Sequence, residues 1–202
     1  MKLIENFNCV KFQNTILKPL TIIKGENFTG KTKFLEDLTI NQDNMVGQLG
    51  SRMNKEIYAK FMSRAREVYP LFDETEVDMG CPPNNILLAC LLAQAGDMFV
   101  VENPEAYLSS YSQNRICEVF TEMASMGVQV ILETLSEDMI FGVKLAIGKG
   151  IISYKNVIIN EFSKIKGDKE PIIKELTLDK NGNFVNSSKF SFKEFEEILY
   201  TI

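Results

Sequence analysis

The sequence predicts an α/β fold in which a mixed sheet carries helices on its faces. Three short apolar runs, residues 20–23, 98–101 and 128–132, have the composition of strands that are buried on both sides. Residues 31–38 and 112–125 instead carry their apolar side chains at helical spacing. Strands that alternate with helices in this way are typical of a layered α/β domain.

The composition is that of an ordinary globular protein. The chain has 202 residues, of which 45% are hydrophobic and 24% charged, and this length favours one domain spanning residues 1–202. The formal net charge of −5 gives no support to DNA binding by bulk charge, although a local basic patch leaves nucleic-acid binding open. We expect a cytoplasmic protein without a membrane segment, because no apolar run approaches the ~20 residues of a membrane span.

Cysteine and histidine usage argues against a zinc site. The four cysteines, Cys9, Cys81, Cys90 and Cys117, are scattered, and the chain contains no histidine. Structural zinc needs clustered ligands, so we expect reduced and mostly buried thiols. Without histidine, the commonest general base near neutral pH is also missing.

Two segments give weaker patterns. Residues 40–80 are predicted to form a short helical insert, and residues 151–202 a small β-containing tail of the same domain. The elements predicted within and near them are helices at 56–69, 86–95 and 192–200, strands at 156–162 and 172–178, and a turn at 179–183.

One motif carries specific chemistry. The pattern GxxxxGK[ST] is matched in full between a predicted strand and a predicted helix, which is the context that a phosphate-binding P-loop requires. Glycines allow the loop to wrap round a phosphate, the lysine reaches the β- and γ-phosphates, and the hydroxyl of Thr32 ligates Mg²⁺. The predicted phosphate-binding residues are Gly25, Glu26, Asn27, Phe28, Thr29, Gly30, Lys31 and Thr32.

A carboxylate follows the second apolar run. Glu102 ends the segment 98–101, as the acidic residue of a Walker B strand does, and would hold Mg²⁺, usually through water. Taken alone, it is better explained as a carboxylate that merely ends a core strand. Because a P-loop precedes it in the chain, the Mg²⁺ role is favoured.

Three segments in order resemble a known group. Residues 17–32 resemble the N-terminus of ABC-class ATPases, a group that includes chromosome-maintenance, recombination and overcoming-lysogenization-defect (OLD) proteins. Residues 101–108 (VENPEAYL) resemble the Walker B and D-loop region of the OLD-related branch, typically ENPEAHLHP. Residues 127–136 (GVQVILETLS) resemble its switch segment, typically VQVIVETHS, and residues 176–182 resemble the end of that branch.

The resemblance implies an ABC-type nucleotide-binding head with an antiparallel β-layer, and ATP and Mg²⁺ as ligands. It also implies a homodimer that sandwiches nucleotide, or a partner protein such as a nuclease or toxin. A bacterial or phage origin and a role in defence or DNA maintenance would follow from the same resemblance.

The chain departs from the family at residues that support hydrolysis. The switch histidine is replaced by Leu135, and Asn103 stands where many ABC ATPases carry a catalytic glutamate, although this branch also has asparagine there. Glu105 is a conceivable substitute, and the catalytic candidates are Lys31, Glu102, Asn103 and Glu105. An amide cannot accept a proton as a general base.

The segment that contacts a dimer partner is also altered. Residues 78–85 correspond to the signature segment, with proline in place of its serine, so we expect a weak or partner-dependent dimer through residues 81–86. Gln48 is a weak candidate for the glutamine loop.

Three functions follow from these observations. The leading one is an ATP-binding regulatory or scaffold subunit with weak or absent hydrolysis. A competent ATPase, acting as a nucleotide-sandwich homodimer or with a partner nuclease, is the main alternative. A small-molecule phosphotransferase is a third, disfavoured because the few arginines suggest no lid.

Overall fold

The structure is a computed structural model that describes residues 10–12, 15–40, 45–49, 90, 93–106, 108–163 and 171–185. All structural statements below concern these residues. The predicted helices at 56–69 and 192–200 lie outside them, as does the signature segment, and of the predicted helix 86–95 only Cys90 is seen to be helical.

The described residues form eight strands and three α-helices. The helices are α1 (Lys31–Ile40), α2 (Ser110–Ser125) and α3 (Glu137–Gly148), and none of them is long and apolar enough to cross a membrane. The strands are β1 (Val10–Phe12), β2 (Thr15–Leu17), β3 (Leu20–Gly25), β4 (Met45–Leu49), β5 (Met98–Glu102), β6 (Gln129–Glu133), β7 (Val157–Ser163) and β8 (Ile172–Leu176).

Six of the strands form one mixed sheet in the order β4-β5-β6-β3-β7-β8. All neighbouring strands run parallel except β8, which is antiparallel to β7. β1 and β2 form a separate antiparallel pair near the N-terminus. The predicted α/β class with a mixed sheet is therefore confirmed, and β7, from the segment predicted as a small tail, lies between β3 and the edge strand β8.

The sheet is covered on both faces, which explains its uninterrupted apolar runs. Along β5, Phe99 and Val101 belong to the apolar cluster formed with α2 and α3. The ring centroids of Phe99 and of Phe120 on α2 are 6.0 Å apart. The alternate residues Met98 and Val100 belong to a second cluster, on the α1 face of the sheet. Side chains of successive strand residues point to opposite faces, so both faces must be apolar.

Two elements are absent from the sequence prediction. β4 lies at the start of the segment predicted as a helical insert, and α3 follows the switch segment directly. α3 begins after Ser136, whose hydroxyl accepts hydrogen bonds from the backbone N–H groups of Asp138 and Met139. This cap satisfies donors that the first turn leaves unpaired.

The two described cysteines are free thiols in apolar surroundings. Cys117 is buried and its Sγ donates to the carbonyl oxygen of Met139, while Cys90 is partly buried. Burial raises the pKa of each thiol to about 12. Neither forms a reactive thiolate near neutral pH; Cys9 and Cys81 lie outside the described residues.

Candidate functional site

The carboxyl ends of three parallel strands meet at one edge of the sheet. β6 lies between β5 and β3, and Glu133 of β6 is in register with Glu102 of β5 and with Ile23 of β3. Two residues after Ile23, Gly25 ends β3 and opens the glycine loop that leads into α1. Ligands of open α/β sheets bind outside this edge.

The backbone of the loop needs its glycines. Gly25 and Gly30 have φ angles of 146° and 95°. A Cβ on Gly25 would lie 2.1 Å from the carbonyl oxygen of Phe162 on β7, so the loop can approach β7 only without a side chain here. The Thr29 hydroxyl donates to the Glu26 carbonyl oxygen at 2.8 Å, which closes the loop on itself.

Phe28 is unusual within this loop. Its φ is 66°, in the left-handed region that aromatic residues seldom adopt, and its side chain is 96% exposed. A left-handed L-residue costs about 1–2 kcal/mol. Phe28 therefore combines backbone strain with an apolar ring left in water.

Lys31 is the buried cation of the site. It is the first residue of α1, and its side chain is 4% exposed. Its Nζ donates to the carbonyl oxygen of Glu26 at 2.7 Å and lies 3.6 Å from Oε1 of Glu133. The ammonium is thus folded back beneath its own loop, with one partner on the loop and one on β6.

Glu133 is the functional candidate that sequence reasoning missed. Its side chain is 7% exposed, and Oε2 has no hydrogen-bond partner among the described residues. Burial raises the pKa of this carboxyl above its usual value, and Glu102 and Glu105 add to the rise, whereas Lys31 opposes it. A glutamate that ends an apolar strand is the same signal that marked Glu102, so it was available in the sequence.

The loop after β5 is tied to the segment after β6. The backbone N–H of Asn103, which has a φ of 45°, donates to the carbonyl oxygen of Glu133 at 2.8 Å. Oε1 of Glu105 accepts from the backbone N–H of Leu135 at 2.9 Å, while its buried Oε2 has no hydrogen-bond partner in the described part of the chain. Leu135 itself is 51% exposed.

The groups predicted to hold magnesium suit that ion. Thr32 is exposed at the start of α1, and Glu102 is half-buried at the end of β5. Mg²⁺ prefers oxygen ligands and is usually held by one or two carboxylates together with substrate phosphates and waters. Within the described ranges no three His, Cys, Asp or Glu residues form a group that could hold a metal ion.

Taken together, the arrangement suits an anion. The first N–H groups of a helix lack partners within the helix and attract a phosphate, and Lys31 adds a full positive charge at the start of α1. The predicted catalytic, phosphate-binding and metal residues lie in the glycine loop, in the first turn of α1, at the end of β5 and in the loop after β5. Gln48, the glutamine-loop candidate, lies on β4 in register with Val100, and nothing is described of its side chain.

Comparison with known proteins gives similar folds and no family. No protein-family model matches the chain, and no curated protein does. The RNase-L inhibitor matches 92% of this chain and 44% of its own, with 15% identity and a TM-score of 0.46. A ribosome-bound assembly of archaeal Pelota and ABCE1 matches 92% of this chain and 38% of its own, with 14% identity and a TM-score of 0.48.

A bacterial ABC transporter cassette, in a dimeric structure, matches 76% of this chain and 90% of its own, with 11% identity and a TM-score of 0.38. The chain thus spans less than half the length of the two larger structures. At this level of likeness no residue role is transferable, so function has to be argued from the site itself.

Proposed function

We propose that the chain is an ABC-class nucleotide-binding head that holds ATP with Mg²⁺ at the carboxyl edge of its sheet. The observation that carries the proposal is the convergence of the glycine loop, the buried ammonium of Lys31 and the carboxylate of Glu102. A phosphate-binding loop placed between a central strand and a helix N-terminus is the arrangement that the motif requires.

Each residue has a definite task in this proposal. Backbone N–H groups of residues 25–32 surround the phosphates, and Lys31 approaches the β- and γ-phosphates. Thr32 and Glu102 hold the magnesium ion, whose charge offsets that of the phosphates when it is bound.

Hydrolysis is proposed to be weak or absent. A P-loop ATPase must place a water in line with the γ-phosphate, and Asn103 and Leu135 stand where a base and a polar switch residue would act. Loss of one electrostatic group commonly costs about 10²- to 10³-fold in rate. We therefore propose a nucleotide-dependent regulatory or scaffold subunit of an OLD-related group, working with a partner such as a nuclease or toxin in bacterial defence or DNA maintenance.

One observation favours the alternative of a competent ATPase. Glu105 reaches the segment after β6 through one oxygen only, and its other buried oxygen has no hydrogen-bond partner among the described residues. A second subunit that completes the site could free this carboxylate to accept a proton. Phosphate release measured at high protein concentration separates the two functions: turnover near background supports the regulatory subunit, and a robust Lys31-dependent rate supports the ATPase.

Nucleotide binding is tested by thermal unfolding with and without Mg·ATP. A ligand that binds only the native state stabilises it by mass action, about 2.7 kcal/mol at 100 times Kd. We expect a raised melting temperature for the wild type and for Lys33→Ala, an exposed lysine of the same helix, and little rise for Lys31→Ala relative to its own baseline. A folded wild type with no shift at millimolar ATP contradicts the proposal.

A further inference from the structure

We propose that Glu133 is a positioning residue that competes with the phosphates of the nucleotide for Lys31, so that nucleotide binding depends on an accompanying divalent cation. This inference rests on the proposed function. Glu133 lies outside the motif and controls which form of the nucleotide binds.

The competition follows from where Lys31 lies. Its Nζ is held by the Glu26 carbonyl oxygen at 2.7 Å and by Glu133 Oε1 at 3.6 Å, and both ionic side chains are more than nine-tenths buried. Buried charges attract each other more strongly than exposed ones. A phosphate that takes Lys31 as its partner must therefore displace it from Glu133.

Displacement would leave Glu133 as a buried anion beside the incoming phosphates. Neighbouring carboxylates increase the repulsion between these negative charges. Glu102 is in direct register on β5, and Glu105 lies close enough to raise the pKa of Glu133. Without a cation, negative charges on the protein and the nucleotide would face each other. A divalent cation offsets that repulsion, which is why we infer that it must accompany the nucleotide.

Of the lysines beside the loop, Lys33 has an exposed side chain and Lys24 has partners of its own. Lys24, which precedes Gly25, is already engaged: its Nζ lies 3.4 Å from Glu137 Oε1 and 3.3 Å from Glu161 Oε1. Lys31 is therefore the buried lysine that faces the strand-end carboxylate of Glu133.

The second oxygen of Glu133 points to the same conclusion. Oε2 is buried and accepts no hydrogen bond within the described part of the chain. A buried acceptor left without a donor is unfavourable, and such groups in native structures call for an explanation. A donor that arrives with the ligand, such as a water of a hydrated cation, would satisfy it.

The test measures ADP affinity of the full chain by calorimetry, once with Mg²⁺ and once with EDTA. The readout is the ratio of the two dissociation constants, EDTA over Mg²⁺. For Glu133→Gln we expect this ratio to fall about tenfold, within the usual range of coupling between two ligands, because Mg²⁺-free ADP binds more tightly. Glu137→Gln removes the same charge from an exposed residue near the same edge, and it should keep the wild-type ratio because Lys24 retains Glu161 as a partner.

Other outcomes overturn the inference. An unchanged ratio in Glu133→Gln would mean that the ion pair is only structural. Weaker Mg·ADP binding with no gain in EDTA would make Glu133 a metal ligand instead. A wild type that binds ADP in neither buffer defeats the proposed function itself.

Glu133→Asp keeps the test decisive if the glutamine variant does not fold. The shorter side chain keeps its charge but withdraws the carboxylate from Lys31, so we expect a smaller fall in the ratio. In that case an unchanged ratio in folded Glu133→Asp overturns the inference.

Discussion

The glycine loop after β3 and the strand ends of β5 and β6 share one edge of the sheet, but they store free energy differently. The loop stores it in its backbone at Phe28, whose φ is 66°, because glycine adopts the positive φ of Gly25 and Gly30 without steric cost. The strand ends have regular parallel pairing, and their free-energy cost is electrostatic, because the carboxylate of Glu133 is buried. Both kinds of strain are typical of sites that await a ligand.

One contact joins the two regions. Lys31 belongs to the helix that follows the loop, and its ammonium is the opposite charge nearest to Glu133. We therefore expect the effect of a charge change at the strand ends to depend on Lys31. The effect of backbone strain should instead stay local to each residue.

The largest effect is expected from breaking the buried ion pair. Lys31→Met leaves Glu133 as an uncompensated buried carboxyl group and should lower the free energy of unfolding by roughly 3–5 kcal/mol. Adding Glu133→Leu removes that charge and should recover most of the loss, as measured by urea denaturation of the single and double variants. Additive losses in the double variant would show that the two groups do not interact.

A smaller loss is expected from Gly25→Ala, about 2–4 kcal/mol. The added Cβ would meet the Phe162 carbonyl oxygen at 2.1 Å, and alanine is strained at a φ of 146°. Gly150→Ala is the matched control, because Gly150 also has a positive φ but no atom within 4 Å of an added Cβ. Equal losses in the two variants would mean that the close approach to β7 contributes nothing.

The charge of the strand ends also predicts a dependence on pH. The folded-state pKa of Glu133 is raised above 4.5, chiefly by burial, so the folded protein holds this proton more tightly than the unfolded chain does. The resulting stabilisation is complete below about pH 4.5 and is lost as pH rises through the raised pKa, at no more than about 1.4 kcal/mol per pH unit.

Urea denaturation between pH 4.5 and 8 checks this, with Glu133→Gln as the reference. The stability of the wild type relative to the glutamine variant should fall as pH rises over that range. A relative stability that rises with pH would show that Lys31 outweighs burial at this carboxyl.

The smallest effect should come from the exposed ring of the loop. Phe28→Asn removes a side chain that is 96% exposed and supplies a residue that tolerates positive φ, so unfolding should become harder by about 0.5–1 kcal/mol. Phe141→Asn, at a half-exposed position within α3, should instead be destabilising. Destabilisation by Phe28→Asn would mean that the ring makes contacts that matter.

The sequence predicted those parts of the fold where local pattern and burial agree. β3, β5 and β6 are apolar on both faces because helices cover both sides of the sheet, and the glycine loop is marked by its own residues. α2 was predicted from residue 112 by its apolar spacing and begins two residues earlier, because Ser109 caps it through a hydrogen bond from the backbone N–H of Ser112.

Elements were missed where tertiary packing overrides the local signal. α3 contains Gly142, a poor helix former, but a Cβ there would lie 2.8 Å from the Cβ of Cys117, so glycine allows α3 to pack closely on α2. β4 is irregular between Met45 and Gln48, which removes the alternation that marks a strand.

The site was predicted in part for a similar reason. The motif identifies Lys31, but the register of β5, β6 and β3 decides what faces it, and strand order cannot be read from local patterns. Glu133 carries the same strand-end signal as Glu102, but its position beside Lys31 emerges only when β6 is placed between β5 and β3.

Hydrogen exchange of the wild-type chain, with and without Mg·ATP, is the sharpest test of a nucleotide site at this edge, because it both detects the ligand and locates it. We predict slower exchange of the backbone amides in residues 25–32, with a smaller effect at residues 102–105 and 133–135, and neither change in Lys31→Ala. Protection confined to other segments, or no protection at saturating nucleotide in a folded protein, would contradict the assignment of this edge as a nucleotide site.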